Sequence, residues 1–181
     1  ALGSQATPIV CDVTHVDAVV SAVGRITSLF GVAPDILVNN AGAFALASVD
    51  TVEPAAFDSV IETNVSAPLR FVRAFLPEMR MRGTGHVVTI GSIADRAVFP
   101  GNAAYAASKH AVRALHEVLR LETRASGIRA TLISPGPVDT ALWDAIDPDN
   151  RAGFTPRSMM LRPRAVAESV LYALTQPGDV N

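Results

Sequence analysis

Two side chains that could share acid–base chemistry stand four residues apart in the segment Tyr105-Ala106-Ala107-Ser108-Lys109. On a helix this spacing places the phenol and the ammonium on one face, one turn apart. The ordinary pKa of tyrosine is about 10, and a neighbouring cation lowers it by favouring the phenolate. The pair therefore predicts a phenol that can exchange a proton with a bound molecule.

A Tyr-x-x-x-Lys spacing also has a simpler explanation, a half-buried tyrosine on an amphipathic helix with a solvated lysine one turn later. Lys109 is, however, the only lysine in a chain where Lys and Arg together number 15. The residues that accompany the pair decide between the two explanations.

Length and composition predict one soluble, cytoplasmic domain. The 181 residues can bury a sizeable core, and charged residues make up 18% of the chain against about 25% in an average domain. A net charge of −2 gives no basic surface, so nucleic acid is not expected as a partner. No apolar run is long enough to span a bilayer, and a single cysteine, Cys11, excludes a disulfide within the chain.

Short apolar runs alternate with longer helical patterns, which predicts the parallel β-α units of a doubly wound α/β domain. Strands are predicted at 8–11, 35–38, 86–90 and 128–133. Helices are predicted from a capping box at Thr14-x-x-Asp17 to Gly31, and at 54–82, 102–126 and 163–173. Residues 141–162 have no regular pattern.

Polar and loop-forming residues follow the predicted strands at their carboxyl ends, where an open parallel sheet binds its ligands. We therefore expect one edge of the sheet to be lined by Asp12 and Val13, Asn39 to Gly42, Ser92, and Pro135 to Thr140.

Asn64 lies in the middle of the predicted helix 54–82, where an asparagine is disfavoured unless it faces solvent. Pro68 follows four residues later and has no N–H, so the Asn64 carbonyl loses its usual helical donor. The two residues predict a kink at which that carbonyl can hold a water molecule. A solvent-facing Asn64 is the simpler alternative.

Other polar residues predict no competing chemistry. His110 and His116 lie on the predicted helix of Tyr105 but have no Asp or Ser at the spacing of a hydrolase triad. No group of His, Cys, Asp and Glu has metal-ligand spacing, so no catalytic metal is expected.

Taken together, these motifs resemble the short-chain dehydrogenase/reductase family over essentially the whole chain. Asp12-Val13 is similar to the family's adenine-contacting dipeptide, and Asn39-Asn40-Ala41-Gly42 to its strand-end tetrapeptide. Each piece alone could be a turn, a helix cap or a loop, but their order along the chain favours the family. Two further matches complete the set: a catalytic tetrad of Asn64, Ser92, Tyr105 and Lys109, and a nicotinamide-side loop with Pro135, Gly136, Val138 and Thr140.

The resemblance implies a Rossmann-like enzyme that passes hydride between NAD or NADP and a small carbonyl or alcohol substrate. Tyr105 would be the general acid or base, and Ser92 would hold the substrate oxygen. Lys109 would lower the Tyr105 pKa and bind the nicotinamide ribose. Asn64 would anchor a water on a proton relay. The implied cofactor-binding residues are Asp12, Val13, Asn39, Ala41, Gly42, Tyr105, Lys109, Pro135, Gly136, Val138 and Thr140.

The chain departs from the family at its start. The family's first β-α-β unit, with its Thr-Gly-x-x-x-Gly-x-Gly phosphate loop, is not among these 181 residues, and a last strand after Asn181 is also missing. The sequence is therefore expected to be a fragment, in which strand 8–11 has no partner and strand 35–38 exposes an apolar edge.

Function and assembly follow as expectations from the resemblance. The substrate is either a 3-oxoacyl thioester or a small alcohol, ketone or sugar, and a non-catalytic dinucleotide-binding regulatory relative is the alternative to an enzyme. Residues 141–162 are expected to be a substrate lid. Helices 54–82 and 102–126 are apolar on more than one face, which predicts a homodimer or homotetramer.

Overall fold

Three parallel strands form the sheet in this computed structural model, which describes residues 5–178 and residue 180. The strands lie side by side in the order β1 (Ile36–Asn39), β2 (Gly85–Ile90) and β3 (Ile128–Ile133). The register pairs Val38 with Val88, and Val88 with Thr131. The predictions for these three strands are confirmed to within one residue at each end.

Helices cover both faces of the sheet, as a doubly wound α/β domain requires. They are α1 (Val16–Phe30), α2 (Pro54–Ile61), α3 (Ala67–Arg82), α4 (Ala103–Glu122) and α5 (Pro163–Thr175).

Successive side chains of a strand point to opposite faces of the sheet, and this alternation decides which helices pack on which face. Val87 and Ala130 pair across β2 and β3 and pack with Phe75 and Met79 of α3 and Leu119 of α4 in the hydrophobic core. On the opposite face, the Arg129 guanidinium donates to the carbonyls of Ala173, Leu174 and Gln176 at the end of α5. One strand therefore holds helices on both sides.

Two predictions near the start of the chain are wrong. Residues 8–11 form no strand, because no strand of the described chain pairs with them. The capping box at Thr14 does not form either, since the Thr14 hydroxyl donates to Asp12 at 2.7 Å and α1 begins at Val16. The end of α1 is as predicted, with Gly31 in the left-handed conformation at φ 73°.

The outer edge of β1 has the apolar exposure expected from the sequence. Ile36 and Val38 are 47% and 40% exposed. A cavity of about 700 Å³ runs along this edge, and Phe30, Phe71 and Phe75 are among the residues that line it. Neither Tyr105 nor Lys109 lines this cavity.

The predicted helix 54–82 is interrupted where the sequence placed a kink. A π-helical turn, Glu62–Ser66, separates α2 from α3, and Pro68 follows in the first turn of α3. Because Pro68 has no N–H, the Asn64 carbonyl cannot continue the α-helical ladder. Helix α4 ends four residues earlier than predicted, before a tight turn in which a Cβ on Gly127 would lie 1.9 Å from the Gly83 carbonyl oxygen.

Candidate active site

The carboxyl ends of the three strands meet at one edge of the sheet. Asn39 ends β1, Ser92 follows the end of β2, and Pro135 follows the end of β3. Helix α4 then places Tyr105 and Lys109 beside the end of β2. The prediction that these segments share one edge is confirmed, except for Asp12 and Val13, which follow no strand.

Lys109 is held inside the protein, so the alternative of a solvated lysine is wrong. It is 6% exposed, and its Nζ donates a hydrogen bond to the Ile90 carbonyl at 3.0 Å. Its Nζ also lies 5.5 Å from the centre of the Tyr105 ring. The phenol and the ammonium therefore form one local group, anchored to the last residue of β2.

Burial controls the protonation of both side chains. It raises the pKa of Tyr105 above its ordinary value, and a hydrogen bond with Ser92 lowers it by less. The predicted lowering of the Tyr105 pKa is therefore wrong for this structure. Burial also lowers the pKa of Lys109 to about 8, against the opposing charge of Asp95.

Ser92 combines the two roles that the sequence left as alternatives. Its Oγ accepts a hydrogen bond from the Ala94 N–H at 3.2 Å, which caps the short 3₁₀ turn Ile93–Asp95. The same hydroxyl acts on the Tyr105 phenol, whose pKa it lowers. The turn that Ser92 caps fixes the hydroxyl next to the phenol.

Asn64 is 2% exposed, so the alternative of a solvent-facing side chain is wrong. Its Oδ1 accepts from the Ala43 N–H at 2.8 Å, and its Nδ2 donates to the Ala43 carbonyl and to Ser108 Oγ, both at 2.9 Å. Ser108 in turn donates to the Tyr105 carbonyl at 2.7 Å. Asn64 thereby ties the loop after β1 to the helix that carries Tyr105.

Sequence reasoning missed Ser108, which has no measurable exposure, and Phe44. Ser108 could have been singled out as a hydroxyl inside the apolar stripe of α4. Phe44 packs edge-on against Tyr105, with ring centres 4.8 Å apart, and contacts Trp143 at 5.6 Å. Trp143 also contacts Phe154 at 6.3 Å, so residues from the irregular segment reach the phenol through an aromatic row.

The residues expected to bind the cofactor fall into three groups. Val13, Asn39 and Ala41 line the cavity beside β1, while Asp12 is exposed and bonded to Thr14 and His15. The side-chain Nδ2 of Asn39 is buried without a hydrogen-bond partner in the structure.

Gly42 and the loop after β3 make up the other two groups. If Gly42 carried a Cβ, the nearest atom to it would be Asn64 Oδ1 at 3.7 Å. A Cβ on Gly136 would have no other atom within 4 Å. The Pro135 carbonyl accepts a hydrogen bond from the Ile93 N–H at 2.8 Å. The Val138 carbonyl accepts one from Trp143 Nε1 at 3.0 Å, and the Thr140 carbonyl accepts one from Arg157.

The described residues contain neither a cluster of metal-binding side chains nor a membrane-spanning helix. Nowhere between residues 5 and 178 do three or more His, Cys, Asp or Glu side chains gather in a way that could hold a metal ion. None of the helices described above is both long and apolar enough to cross a bilayer.

Comparison with known proteins identifies relatives of this site. Residues 1–151 match the sequence model of a protein family that is described as short chain dehydrogenase. An uncharacterised oxidoreductase of Staphylococcus aureus is 36% identical over 170 residues, which are 94% of this chain and 70% of the relative.

Solved structures of similar proteins share the fold. A short-chain dehydrogenase from Streptomyces avermitilis superposes with a TM-score of 0.82 at 27% identity, covering 96% of this chain and 67% of the other. A metagenomic short-chain oxidoreductase crystallised with NADP gives a TM-score of 0.77 at 29% identity, covering 98% and 71%.

Proposed function

This chain belongs to the short-chain dehydrogenase/reductase family, and on that premise we propose that it is an NAD(P)-dependent enzyme that interconverts a carbonyl and a secondary alcohol. Hydride transfer is the proposed reaction, with Tyr105 as general acid and base. The observation that carries the proposal is the set of contacts around Tyr105. The Ser92 hydroxyl lowers the pKa of its phenol, and the buried ammonium of Lys109 lies 5.5 Å from the centre of its ring.

The protonation of Tyr105 suits the role of general acid in carbonyl reduction. Its pKa lies above the ordinary value of about 10, so the phenol keeps its proton at neutral pH. A carbonyl oxygen that receives a hydride at its carbon becomes strongly basic and takes that proton. Ser92 Oγ already accepts the Ala94 N–H, which leaves its own proton to donate to the substrate oxygen.

The residues present fit the nicotinamide end of NAD or NADP. Lys109 uses one of its three N–H groups on Ile90, leaving two for ribose hydroxyls. Asn39 Nδ2, a buried donor without a partner, lies in the separate cavity beside β1 and is proposed to serve another part of the cofactor. The open space beside Gly136 and the Pro135–Thr140 loop suit the same group. When bound, the nicotinamide supplies or takes the hydride.

Asn64 is proposed to anchor a water on a proton path to Lys109. The π-helical turn and Pro68 support this role, because together they leave the Asn64 carbonyl outside the regular α-helical ladder. The side chain is fully engaged with Ala43 and Ser108, so only the main-chain oxygen is left for a water.

The aromatic row favours a substrate with an apolar substituent on its carbonyl carbon. Phe44 packs on Tyr105 and Trp143 packs on Phe44, so a substrate that reaches the phenol lies against ring faces. Small ketones and 3-oxoacyl thioesters suit this surface better than a sugar. Residues 141–162, which supply Trp143 and Phe154, are proposed to close over the substrate as a lid. We also propose that the protein is cytoplasmic.

Assembly as a homodimer or homotetramer is also proposed. Large apolar side chains remain exposed on the helices, Leu69 and Met81 on α3 and Val118 and Leu121 on α4. A second copy of the chain would cover them. Light scattering at micromolar concentration should give twice or four times the chain mass, and a monomer would contradict this assembly.

The proposed reaction is tested by measuring oxidation of NADH and NADPH with a panel of ketones, aldehydes and 3-oxoacyl thioesters. Tyr105→Phe should lose turnover about 100-fold or more, because the general acid is removed while the ring stays. Tyr172→Phe is the matched control, since Tyr172 is the other tyrosine and is 68% exposed on α5. Nucleotide binding without turnover of any substrate would instead support the non-catalytic alternative.

A further inference from the structure

A buried carboxylate, Asp95, lies at the centre of the site and has no part in the proposed reaction. It ends the 3₁₀ turn that begins one residue after Ser92, and no part of it is exposed. An ionised side chain is expensive to bury, so a fully buried aspartate requires partners that stabilise its charge. Its surroundings therefore indicate what that charge does.

The two carboxylate oxygens of Asp95 have different partners. Oδ2 accepts a hydrogen bond from Ser134 Oγ, and Oδ1 accepts one from Arg96 Nε at 2.7 Å. Its main-chain carbonyl accepts from the Arg113 guanidinium of α4 at 3.3 Å. Burial by itself raises the pKa of Asp95, but these bonds and the two arginine charges bring it below its ordinary value. Asp95 is therefore ionised at neutral pH.

Through Ser134, Asp95 joins the loops that follow β2 and β3. Ser134 comes directly after β3 and precedes Pro135, whose carbonyl also accepts the Ile93 N–H at 2.8 Å. The side-chain bond is thus a second link between the turn that carries Ser92 and the loop expected at the nicotinamide. Gly91 lies beneath this link, because a Cβ there would be 2.7 Å from Ser134 Oγ and 3.0 Å from Asp95 Oδ2.

Asp95 also acts on Lys109 across the end of β2. The Lys109 ammonium binds the carbonyl of Ile90, and Asp95 lies against the next residue, Gly91. The two side chains thus lie against consecutive residues at the end of β2, where the Asp95 carboxylate favours the protonated form of Lys109. The charges facing Asp95 are those of Arg96 and Arg113, and the Tyr105 ring is the neighbour of the ammonium.

We propose that Asp95 is a positioning residue whose buried negative charge keeps Lys109 in its ammonium form. Its effect on Lys109 is independent of the reaction, and its consequence for turnover rests on the proposed function. A purely structural cross-link between the two loops is the competing explanation. The two differ because a link needs only a hydrogen-bond acceptor, whereas the effect on Lys109 needs the charge.

Two substitutions separate the charge from the link. Asp95→Asn keeps an oxygen that can accept from Ser134 but removes the charge, and Ser134→Ala removes the bond but keeps the charge. Since Lys109 is the only lysine in the 181 residues, lysine labelled with ¹³C at Cε gives one NMR signal for this chain, whose titration reads its pKa directly.

Asp95→Asn should lower the pKa of Lys109 from about 8 by about half a unit or more, and Ser134→Ala should leave it nearly unchanged. If Asp95→Asn does not fold, Arg96→Met provides the test without touching a buried residue. It removes a partner that neutralises Asp95, so the Lys109 pKa should rise. An unchanged Lys109 titration in a folded Asp95→Asn protein, or equal shifts in Asp95→Asn and Ser134→Ala, would overturn the proposal.

Turnover provides the second readout. In Asp95→Asn the high-pH limit of carbonyl reduction should move to lower pH by the same amount as the Lys109 titration, because the ammonium is lost earlier. A shifted Lys109 titration in a chain that reduces no carbonyl would sustain the role of Asp95 and count against the proposed reaction. Normal turnover with an unshifted titration would sustain the reaction and overturn the role of Asp95.

Discussion

At the scale of single residues, Lys109 is under the most constraints. Its Nζ must reach the Ile90 carbonyl, lie 5.5 Å from the Tyr105 ring and stay protonated although burial lowers its pKa to about 8. A lysine meets these demands because its ammonium is compact and its three donors can rotate. The other fourteen basic residues of the chain are all arginines.

Lys109→Arg should therefore lose most turnover although the charge is conserved. A guanidinium is larger and planar, so it cannot bind Ile90 and keep the same place beside the phenol. We expect kcat to fall at least about tenfold and the nicotinamide affinity to weaken as well. Steady-state kinetics and nucleotide titration measure the two effects.

Arg124→Lys is the matched control for this substitution, because Arg124 is exposed beyond the end of α4. It should be nearly silent in both measurements. Near-normal kcat with an unshifted pH profile in Lys109→Arg would mean that Lys109 takes no part in the chemistry, and the role of Tyr105 would fall with it.

At the scale of elements, the π-helical turn between α2 and α3 sets the position of Asn64. An α-helix would bond the Asn64 carbonyl to the N–H of residue 68, and Pro68 has none. The widened turn presents Asn64 to the loop after β1, where it binds both main-chain polar groups of Ala43. Local backbone chemistry thereby controls a contact between distant parts of the site.

Pro68→Ala should weaken that control. The new N–H can pair with the Asn64 carbonyl, which favours a regular helix and turns the Asn64 side chain away from Ala43. We expect turnover to fall about tenfold or more, with little loss of stability in urea unfolding, because the helix itself is improved.

Pro77→Ala is the matched control in the same helix, since Pro77 is an exposed proline in the interior of α3, away from the site. It should raise the free energy of unfolding without changing turnover. Equal turnover in Pro68→Ala and Pro77→Ala would show that the π-helical turn has no bearing on activity.

The irregular segment 141–162 is held at a small number of points. Arg157 donates to Asp139 at 2.7 Å, to Asp144 at 2.6 Å and to the Thr140 carbonyl at 3.2 Å. Among the large apolar residues of this segment, Met160 is buried and Trp143 and Phe154 pack together, while Leu142 and Met159 are exposed. The bonds of Arg157, together with two backbone hydrogen bonds at Leu161, are therefore what would have to break for the segment to open.

Arg157→Met should release the segment, because one guanidinium serves two aspartates and a carbonyl. Hydrogen exchange in 141–162 should become faster, and the protection gained on adding nicotinamide should shrink. Arg164→Met, which removes an exposed ion pair with Glu168 on α5, should change neither. Equal protection of 141–162 with and without nicotinamide in the unmodified chain would contradict a lid.

At the scale of the whole molecule, two buried histidines, one on β2 and one on α4, bond to threonines of the sheet. His86 is 3% exposed on β2, where its Nε2 shares a hydrogen bond of 2.8 Å with Thr131 Oγ1 of β3. The Nδ1 of His116 on α4 shares a hydrogen bond of 3.0 Å with Thr89 Oγ1 of β2. Burial, with repulsion from Arg129 and His116, lowers the pKa of His86 to about 4.

The free energy of unfolding should therefore fall on acidification between about pH 6.5 and pH 4. In this window the unfolded chain protonates His86 and the folded chain does not, so falling pH favours unfolding. The full effect is on the order of 3 kcal/mol, reached below the folded pKa of about 4. Urea unfolding at a series of pH values measures it.

His86→Gln should flatten this dependence, because glutamine can still bond Thr131 but does not titrate. His15→Gln is the control, since it makes the same exchange at a side chain that is 74% exposed. The same acid slope in His86→Gln and in the unmodified chain would assign the sensitivity to other groups.

The sequence by itself determined the features that depend on neighbours along the chain. Helical spacing placed Tyr105 and Lys109 one turn apart, a missing N–H marked the kink near Asn64, and three apolar runs became parallel strands that end at one edge. These predictions succeeded because periodicity and backbone chemistry act within a few residues.

Only the tertiary structure decided the features that depend on surroundings. The Tyr105 pKa is raised because desolvation reflects everything packed around the phenol, and neighbours in sequence do not reveal it. Asp95 meets Ser134 across 39 residues, and Asn64 meets Ser108 across 44, through the parallel alignment of strands and helices. Residues 8–11 have a strand-like pattern but form none, because a strand exists only when another one pairs with it.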